Sequence, residues 1–451
     1  MCAKSVEKSI FQYDIWIIDL LGHLRIFTIK ELKEEHFSEG LGFDGSSVPL
    51  YGFVNESDFI AKPDPKTLRT YPWTVNGKRV AFVIANVYEG YTLKRSPMDP
   101  RYVAERLNNE LSRRGISALV SPEMEFFLYR VGNFPFPREK LPVERDQEII
   151  APKDGYLRHP PVDQLYEYRT ALFEALDKVG LGPRKNHHEV GAGQIEVNIR
   201  ADDPLRTSDN VQIFKYIAKV VARKMDLYAT FMPKPMKDDN GSGMHIHISL
   251  WRNGENIFYD PNDDYAELSQ TARYFIGGIL YHAEALTAIV APTVNSYKRL
   301  MPGFEAPIYI CWGRKNRSAL VRVPLYHRKG SKNNAKRRRL EIRSPDPLAN
   351  PYLAIAAIIF AGLDGIKRKI DPGDPIDLNI YQLRKEQMEE LGIRRLPHTL
   401  WHALDYLETD DYLKHALGKE LIETYIEIKR KECLEYMQYI TEWEYRKYFY
   451  L

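Results

Sequence analysis

Four short stretches of the chain alternate apolar and polar residues with a period of two, the period of a β-strand whose faces see different surroundings. In Ser121–Leu128, Glu123 and Glu125 take one face, and Met124 and Phe126 the other. In Gln194–Ile199, Glu196 and Asn198 oppose Ile195, Val197 and Ile199. In Met244–Leu250, His245, His247 and Ser249 oppose Met244, Ile246 and Ile248. In Leu340–Ser344, Glu341 and Arg343 oppose Leu340 and Ile342. Nearer the N-terminus, Phe11–Ile18 and Arg79–Tyr88 read as strands, with a short helix near Ile29–Phe37 between them. Elsewhere the period lengthens to that of a helix. Val103, Leu107 and Leu111 follow the N-cap and first-turn proline Asp99-Pro100 and stop at Gly115. Helices are predicted around Asp163–Val179 and Ser208–Tyr228, and Asn350-Pro351 opens another. A boundary near Lys94–Pro100 separates a small strand-rich domain from a larger mixed one.

Each alternating stretch alone fits an antiparallel sheet with one wet face. Wet faces, however, mix Lys, Thr, Gln and Ser, whereas these carry carboxylate, imidazole and guanidinium. A concave sheet backed by helices would gather such groups into one cleft. That donor set suits Mg²⁺ or Mn²⁺, which favour oxygen ligands, tolerate histidine and bridge substrate phosphates. Paired metals can neutralise charge as a phosphoryl group transfers. Glu189 and Glu196 face each other across a glycine-containing turn, where two carboxylates repel unless a cation sits between them. His187 and His188 fit a structural role as well as a functional one.

Composition narrows the classes. The 451 residues are 44% hydrophobic and 28% charged, which suits a globular core and excludes wholesale disorder. Sixty-four basic against sixty-one acidic residues leave +3, too little for a global nucleic-acid or membrane field. Cys2, Cys311 and Cys433 are too far apart for a disulfide scaffold or a cysteine zinc site. Met1–Gln12 lacks the apolar stretch of a signal peptide, and Tyr352–Leu363 is too short to span a bilayer. A soluble cytoplasmic protein is expected. Arg328–Arg339 holds seven basic residues, with Arg314, Arg317 and Arg322 just upstream. The run reads as a solvated surface, a nucleotide phosphate grip or a nucleic-acid contact. No P-loop occurs, so any ATP is held on another scaffold.

The motifs FDGSS (Phe43–Ser47), SPEMEFF (Ser121–Phe127), HHEVGAGQIEVN (His187–Asn198), NGSGMHIHISL (Asn240–Leu250), NSYKRLMPGFEAP (Asn295–Pro307), RKNRSALVRVP (Arg314–Pro324) and RRLEIRSPDPLANPYLAIAAI (Arg338–Ile358) stand in order along almost the whole chain. In this order they resemble glutamine synthetases of the class I bacterial and archaeal type. The resemblance implies an α+β fold: a β-grasp-like domain over residues 1–98, then a catalytic domain over 99–451 with a curved antiparallel sheet backed by helices. It implies ligation of ammonia to the γ-carboxylate of glutamate through γ-glutamyl phosphate, driven by ATP. One metal would be held by Glu125, Glu189 and Glu196, the other by Glu123, His245 and Glu341. Asn240, Gly241, Arg299 and Arg343 would bind glutamate or the transferring phosphate, and Arg317 would stabilise phosphoryl charge. His247, Ser249, Arg322, Lys336 and Arg339 would contact nucleotide. Asp44, from a neighbouring subunit, would bind ammonium, and Glu305 would close over the intermediate.

The resemblance also implies a homo-oligomer, a dodecamer of two hexameric rings with active sites between subunits, into which the aromatic tail Trp443–Leu451 would insert. Tyr381 stands where one subgroup is adenylylated, but the following Gln-Leu-Arg-Lys departs from that subgroup, so adenylylation is not expected. Gly52–Asp58 is shorter than in the feedback-inhibited subgroup and lacks its arginine, which removes the basis for expecting control by glutamine. Two rival readings stay open from the residues: a ligase of the same fold acting on a larger amine such as a polyamine or ethanolamine, and a non-catalytic relative. All six implied metal ligands are present, which speaks against the second.

Overall fold

The computed structural model describes residues 10–48, 57–131, 143–145, 150–303, 305–314, 316–324, 331 and 333–451. Residues 52–56 of the shortened segment, and 328–330 and 332 of the basic run, lie outside them.

Strands β1 (Ile10–Ile18), β2 (Leu24–Ile29), β3 (Leu41–Asp44), β4 (Asp58–Pro63), β5 (Arg69–Val75) and β6 (Lys78–Glu89) form the N-terminal sheet. Its order is β2-β1-β6-β4-β3, with β5 also on β6, and β1 runs parallel to β6 in its centre. Ile15, Trp16 and Ile17 are consecutive and all buried, as a strand covered on both faces requires. Trp16 stacks on Phe82 at 4.4 Å and meets Tyr216 edge-on at 5.0 Å, so the sheet packs directly on the helix Pro204–Lys224. The helix predicted over Ile29–Phe37 is shorter. Residues 24–29 extend as β2 and pair with β1, leaving only Glu34–Ser38 helical. A free partner edge decides this, because cross-strand pairing outweighs a weak local helix preference.

Among the described residues the second sheet has eleven strands: β7 (Ser117–Val131), β8 (Val143–Arg145), β9 (Pro183–His188), β10 (Gln194–Ile199), β11 (Leu227–Thr230), β12 (Met244–Arg252), β13 (Glu255–Asn256), β14 (Tyr309–Gly313), β15 (Ala319–Arg322), β16 (Leu340–Ile342) and β17 (Arg394–Arg395). The main order is β17-β14-β15-β16-β12-β7-β10-β9, antiparallel except for β14 on β15. All the apolar residues of the four alternating stretches named above are buried. Behind them Phe126 meets Phe214 of the helix Pro204–Lys224 edge-to-face at 5.9 Å.

Helix starts follow their caps. Asp99 accepts from Arg101 N at 2.9 Å, Asp203 from Leu205 N at 3.0 Å and Asn350 from Tyr352 N at 3.1 Å, each with proline in the first turn. The helix Pro351–Arg368 is buried over nearly its whole length. It crosses the helix Gln270–Tyr281 so closely that a Cβ on Gly278 would lie 2.1 Å from Ala361 O. Arg101, 2% exposed, ties the two sheets' layers together: it bonds Asp64 beside the N-terminal sheet at 2.8 Å and Asp209 on the helix Pro204–Lys224 at 2.9 Å. Among the described residues no helix is long and apolar enough to cross a membrane.

Candidate active site

Strand register assembles the polar groups in three rungs. In the first, His187 on β9 faces Glu196 on β10, which faces Glu125 on β7. In the second, Lys185 faces Asn198, Asn198 faces Glu123, and Glu123 faces His245 on β12. In the third, Ser121 faces His247, His247 faces Glu341 on β16, and Glu341 faces Arg322 on β15. Successive rungs are two residues apart on β7, so all point from one face. Two close groups of metal-type donors result: Glu123, His245 and Glu341 in one, and His187, Glu189 and Glu196 in the other. His245 Nδ1 lies 3.5 Å from Glu123, 3.6 Å from Glu341 and 3.8 Å from Glu125.

The first of these groups coincides with one expected metal set. In the second, His187 stands within 3.4 Å of Glu196 and 3.8 Å of Glu189, while Glu125 sits between the two groups. Glu125 accepts from Gly243 N at 2.7 Å and from Gln194 Nε2 at 3.3 Å. The sequence reading names neither His187 nor Gln194 as a ligand or support. The alternation that exposes Glu196 and Asn198 includes Gln194, and His187 shares the parity of Glu189, so the signal was present.

The electrostatics ask for a cation. Burial and the charges of Glu189 and Glu196 push the Glu125 carboxyl well above the usual carboxylate range. Burial and Glu196 push Glu189 to about 7. On the other side, burial would raise Glu123 and Glu341, yet Glu123 falls well below its ordinary value beside His245 and His247, and Glu341 falls to about 2 beside Arg343, His247 and His245. Carboxylates pressed toward neutrality by one another are relieved by a divalent ion, and oxygen-rich donors with one imidazole per group and no thiolate suit a hard one. The residues therefore fit the metals the family resemblance implies.

An inner cleft of about 180 Å³ holds these groups together with Asn240, Gly241, Arg299, Glu305, Arg317, Arg322 and Arg343. Glu341 joins Arg343 at 2.7 Å and Arg322 at 2.5 Å. Arg299 is buried and bonded to the carbonyls of Ser344 at 2.8 Å and Arg343 at 3.0 Å, which fixes its guanidinium. A Cβ on Gly241 would lie 2.8 Å from the Arg299 side chain, so only glycine lets the two approach. Glu305, in a left-handed backbone conformation (φ 55°), stands 3.7 Å from Arg317 at the exposed rim. The Tyr381 hydroxyl donates to Ala306 O at 2.6 Å on that rim.

An adjoining pocket of about 540 Å³ is lined by His247, Ser249, Lys336 and Arg339, with Arg184, Arg337 and Arg338. Arg339 Nε donates to His247 Nδ1 at 3.1 Å, and His247 Nε2 lies 2.8 Å from Glu123. Four of the five expected nucleotide contacts thus share the outer pocket, and Arg322 lies in the inner cleft. Asp44 lines neither cavity. It stands exposed at the end of β3, where the hydroxyls of Ser46 and Ser47 hold its carboxyl below the usual range. Another cavity of about 540 Å³, behind the helix Pro204–Lys224, holds none of these residues.

The β-grasp domain of glutamine synthetase matches residues 9–90 and the glutamine synthetase catalytic domain matches 97–448. Glutamine synthetase of Archaeoglobus fulgidus is 44% identical, covering 99% of this chain and 96% of its own. That of Thermotoga maritima is 44% identical over the whole of both chains. Among solved structures, a GmaS complex with ADP superposes with a TM-score of 0.85 at 33% identity, over 98% of this chain and 97% of its own. Glutamine synthetase of Plasmodium falciparum superposes with a TM-score of 0.87 at 28% identity, over 99% and 97%. With two domain matches that span the chain and full-length relatives at this identity, the protein belongs to the glutamine synthetase family.

Proposed function

We propose that the two adjoining cavities are the glutamine synthetase active site, the outer one taking ATP and the inner one glutamate and the metals. The observation that carries this is the three-rung ladder, which lines an arginine-rich cleft with two groups of metal-type donors beside a basic pocket. A GmaS complex with ADP among the solved relatives supports a nucleotide site on this scaffold. The reaction is ATP-dependent ligation of ammonia to the γ-carboxylate of glutamate, giving glutamine, ADP and phosphate.

A carboxylate resists amines because its leaving group would be oxide. Phosphorylation gives it phosphate as leaving group. Divalent ions, read as Mg²⁺ or Mn²⁺, would be held by Glu123, His245 and Glu341 and by Glu189, Glu196 and Glu125 or His187, and supply neutralisation of phosphate charge. Arg299 and Arg343, fixed by their carbonyl and carboxylate partners, orient the glutamate substrate beside Asn240 and Gly241. Arg317 stabilises charge on the transferring group, and Glu305 covers the intermediate against water. His247, Ser249, Lys336 and Arg339 hold nucleotide, with Arg322 reaching from the cleft. Asp44, kept ionised by its serine partners, binds ammonium in the site of a neighbouring copy and takes its proton. That assignment implies a ring of subunits, read as a dodecamer. The exposed aromatic tail, with Trp443, Tyr445, Tyr448 and Phe449 all open to solvent, supports its docking on another copy. The division at 98/99 and a cytoplasmic location complete the reading.

The direct test supplies ¹⁵N-ammonium, ATP and glutamate to the purified protein and measures product by mass spectrometry. Labelled glutamine with one ADP per molecule is expected. ADP release without labelled glutamine would overturn the assignment of ammonia as acceptor.

A further inference from the structure

We infer that Lys185 is a phosphate-contacting catalytic residue of this chain, its ammonium meeting the phosphate chain of ATP where it passes from the outer pocket into the cleft. This rests on the reading of the two cavities as nucleotide and metal–glutamate sites.

Among the described residues the two cavities share only two lining residues, Glu123 and Lys185. A nucleotide with its base and ribose in the outer pocket and its γ-phosphate in the cleft must cross that boundary. Glu123 is the anion there, engaged by His247 at 2.8 Å and His245 at 3.5 Å. Lys185 is the cation. It stands on β9 in the same rung as Glu123, one strand removed through Asn198, and so projects from the reacting face of the sheet. It is exposed, and its ammonium has no hydrogen-bond or ion-pair partner among the described residues.

That lack of a partner, shared with Arg184 and Lys336 of the outer pocket, sets Lys185 apart from the arginines around the cleft. Arg322 and Arg343 are bound to Glu341, Arg317 faces Glu305, Arg299 is bonded to two carbonyls, and Arg339 to His247. An unpaired ammonium on a flexible stem, beside carboxylates it does not reach, is suited to an anion that arrives from solution. During transfer the new bond joins a γ-carboxylate oxygen of glutamate to the γ-phosphorus. The bond to the β–γ bridging oxygen breaks, and its electron pair stays on ADP. The negative charge thus grows at the cavity boundary, where Lys185 stabilises it.

The test compares the full-length wild type with Lys185→Ala and Lys185→Arg, by calorimetric binding of Mg·ADP and of adenosine and by steady-state kinetics. Lys185 is exposed, and circular dichroism verifies that each variant is folded. Lys185→Ala should bind Mg·ADP about tenfold more weakly, bind adenosine unchanged and lose about tenfold in kcat/KM for ATP, the size of one charge-assisted hydrogen bond. Lys185→Arg should recover most of both. Wild-type-like Mg·ADP binding and turnover in Lys185→Ala would overturn the assignment alone. A wild type that does not bind Mg·ADP would overturn the nucleotide reading and this assignment with it.

Discussion

Glu341 shows how one residue can carry both structure and chemistry. It is fully buried, yet its two oxygens meet Arg343 at 2.7 Å and Arg322 at 2.5 Å, and His245 lies 3.6 Å away. Those cations hold its carboxyl at about 2, so it is ionised throughout the neutral range and available as a donor. Removing the side chain strands two guanidinium groups, so Glu341→Ala should lose about 3 kcal/mol of stability, the usual consequence of breaking a buried ion pair. Glu341→Gln keeps the shape and should melt closer to wild type. Its phosphoryl transfer should nevertheless fall about a hundredfold or more, because a neutral amide is a poor ligand and a poor electrostatic partner. Thermal melts and ADP-release rates on both variants separate the two roles. Normal turnover in Glu341→Gln would remove Glu341 from the metal set.

At the scale of elements, strand parity was the legible signal. The faces of Ser121–Leu128, Gln194–Ile199, Met244–Leu250 and Leu340–Ser344 follow from sequence because a period of two leaves no freedom. Which strand neighbours which does not follow, and it is the order β16-β12-β7-β10-β9 that turns four polar faces into one site. The helix expected over Ser208–Tyr228 begins earlier, at Pro204. Asp203-Pro204 gives the same cap signal as Asp99-Pro100, but Thr207, Ser208, Asp209 and Asn210 are polar and buried, so the apolar period starts a turn late. Another buried polar element was invisible in sequence. His282 lies between two carboxylates, with Nδ1 2.5 Å from Asp410 and Nε2 3.2 Å from Asp364, and Arg368 also bonds Asp364 at 2.9 Å. It joins the helix Gln270–Tyr281 to the helix Pro351–Arg368 and to the cap of the helix Asp411–Leu417. Burial would lower its value, but Asp410 and Asp364 raise it above the ordinary histidine value. The sign follows: this stabilisation is complete below the unfolded value near 6.5 and is lost as pH rises through the folded value. Melting temperature should therefore fall over that window in wild type. In His282→Gln it should start lower and lose that dependence, and an unchanged pH profile in the variant would contradict the clamp.

For the whole molecule, Asp44 in its proposed role serves a site it does not line within its own chain. Asp44 stands at the end of β3 and lines neither cavity. If each site joins two copies, two inactive variants can repair each other. Asp44→Ala and Glu341→Gln co-expressed in equal amounts should form mixed rings in which about a quarter of the sites draw both intact residues, one from each chain, as head-to-tail interfaces require. Activity near that fraction of wild type, above the sum of the separate variants, is the expected outcome. Activity equal to that sum would confine the site to one chain. The acceptor is tested most directly by ADP release from the purified protein with ATP, Mg²⁺ and glutamate, comparing ammonium with a panel of larger amines. Strong stimulation by ammonium, with glutamine as product, and little by the others is expected. Stimulation by a larger amine in place of ammonium would contradict it, leaving the phosphoryl chemistry but making the protein a γ-glutamyl-amine ligase.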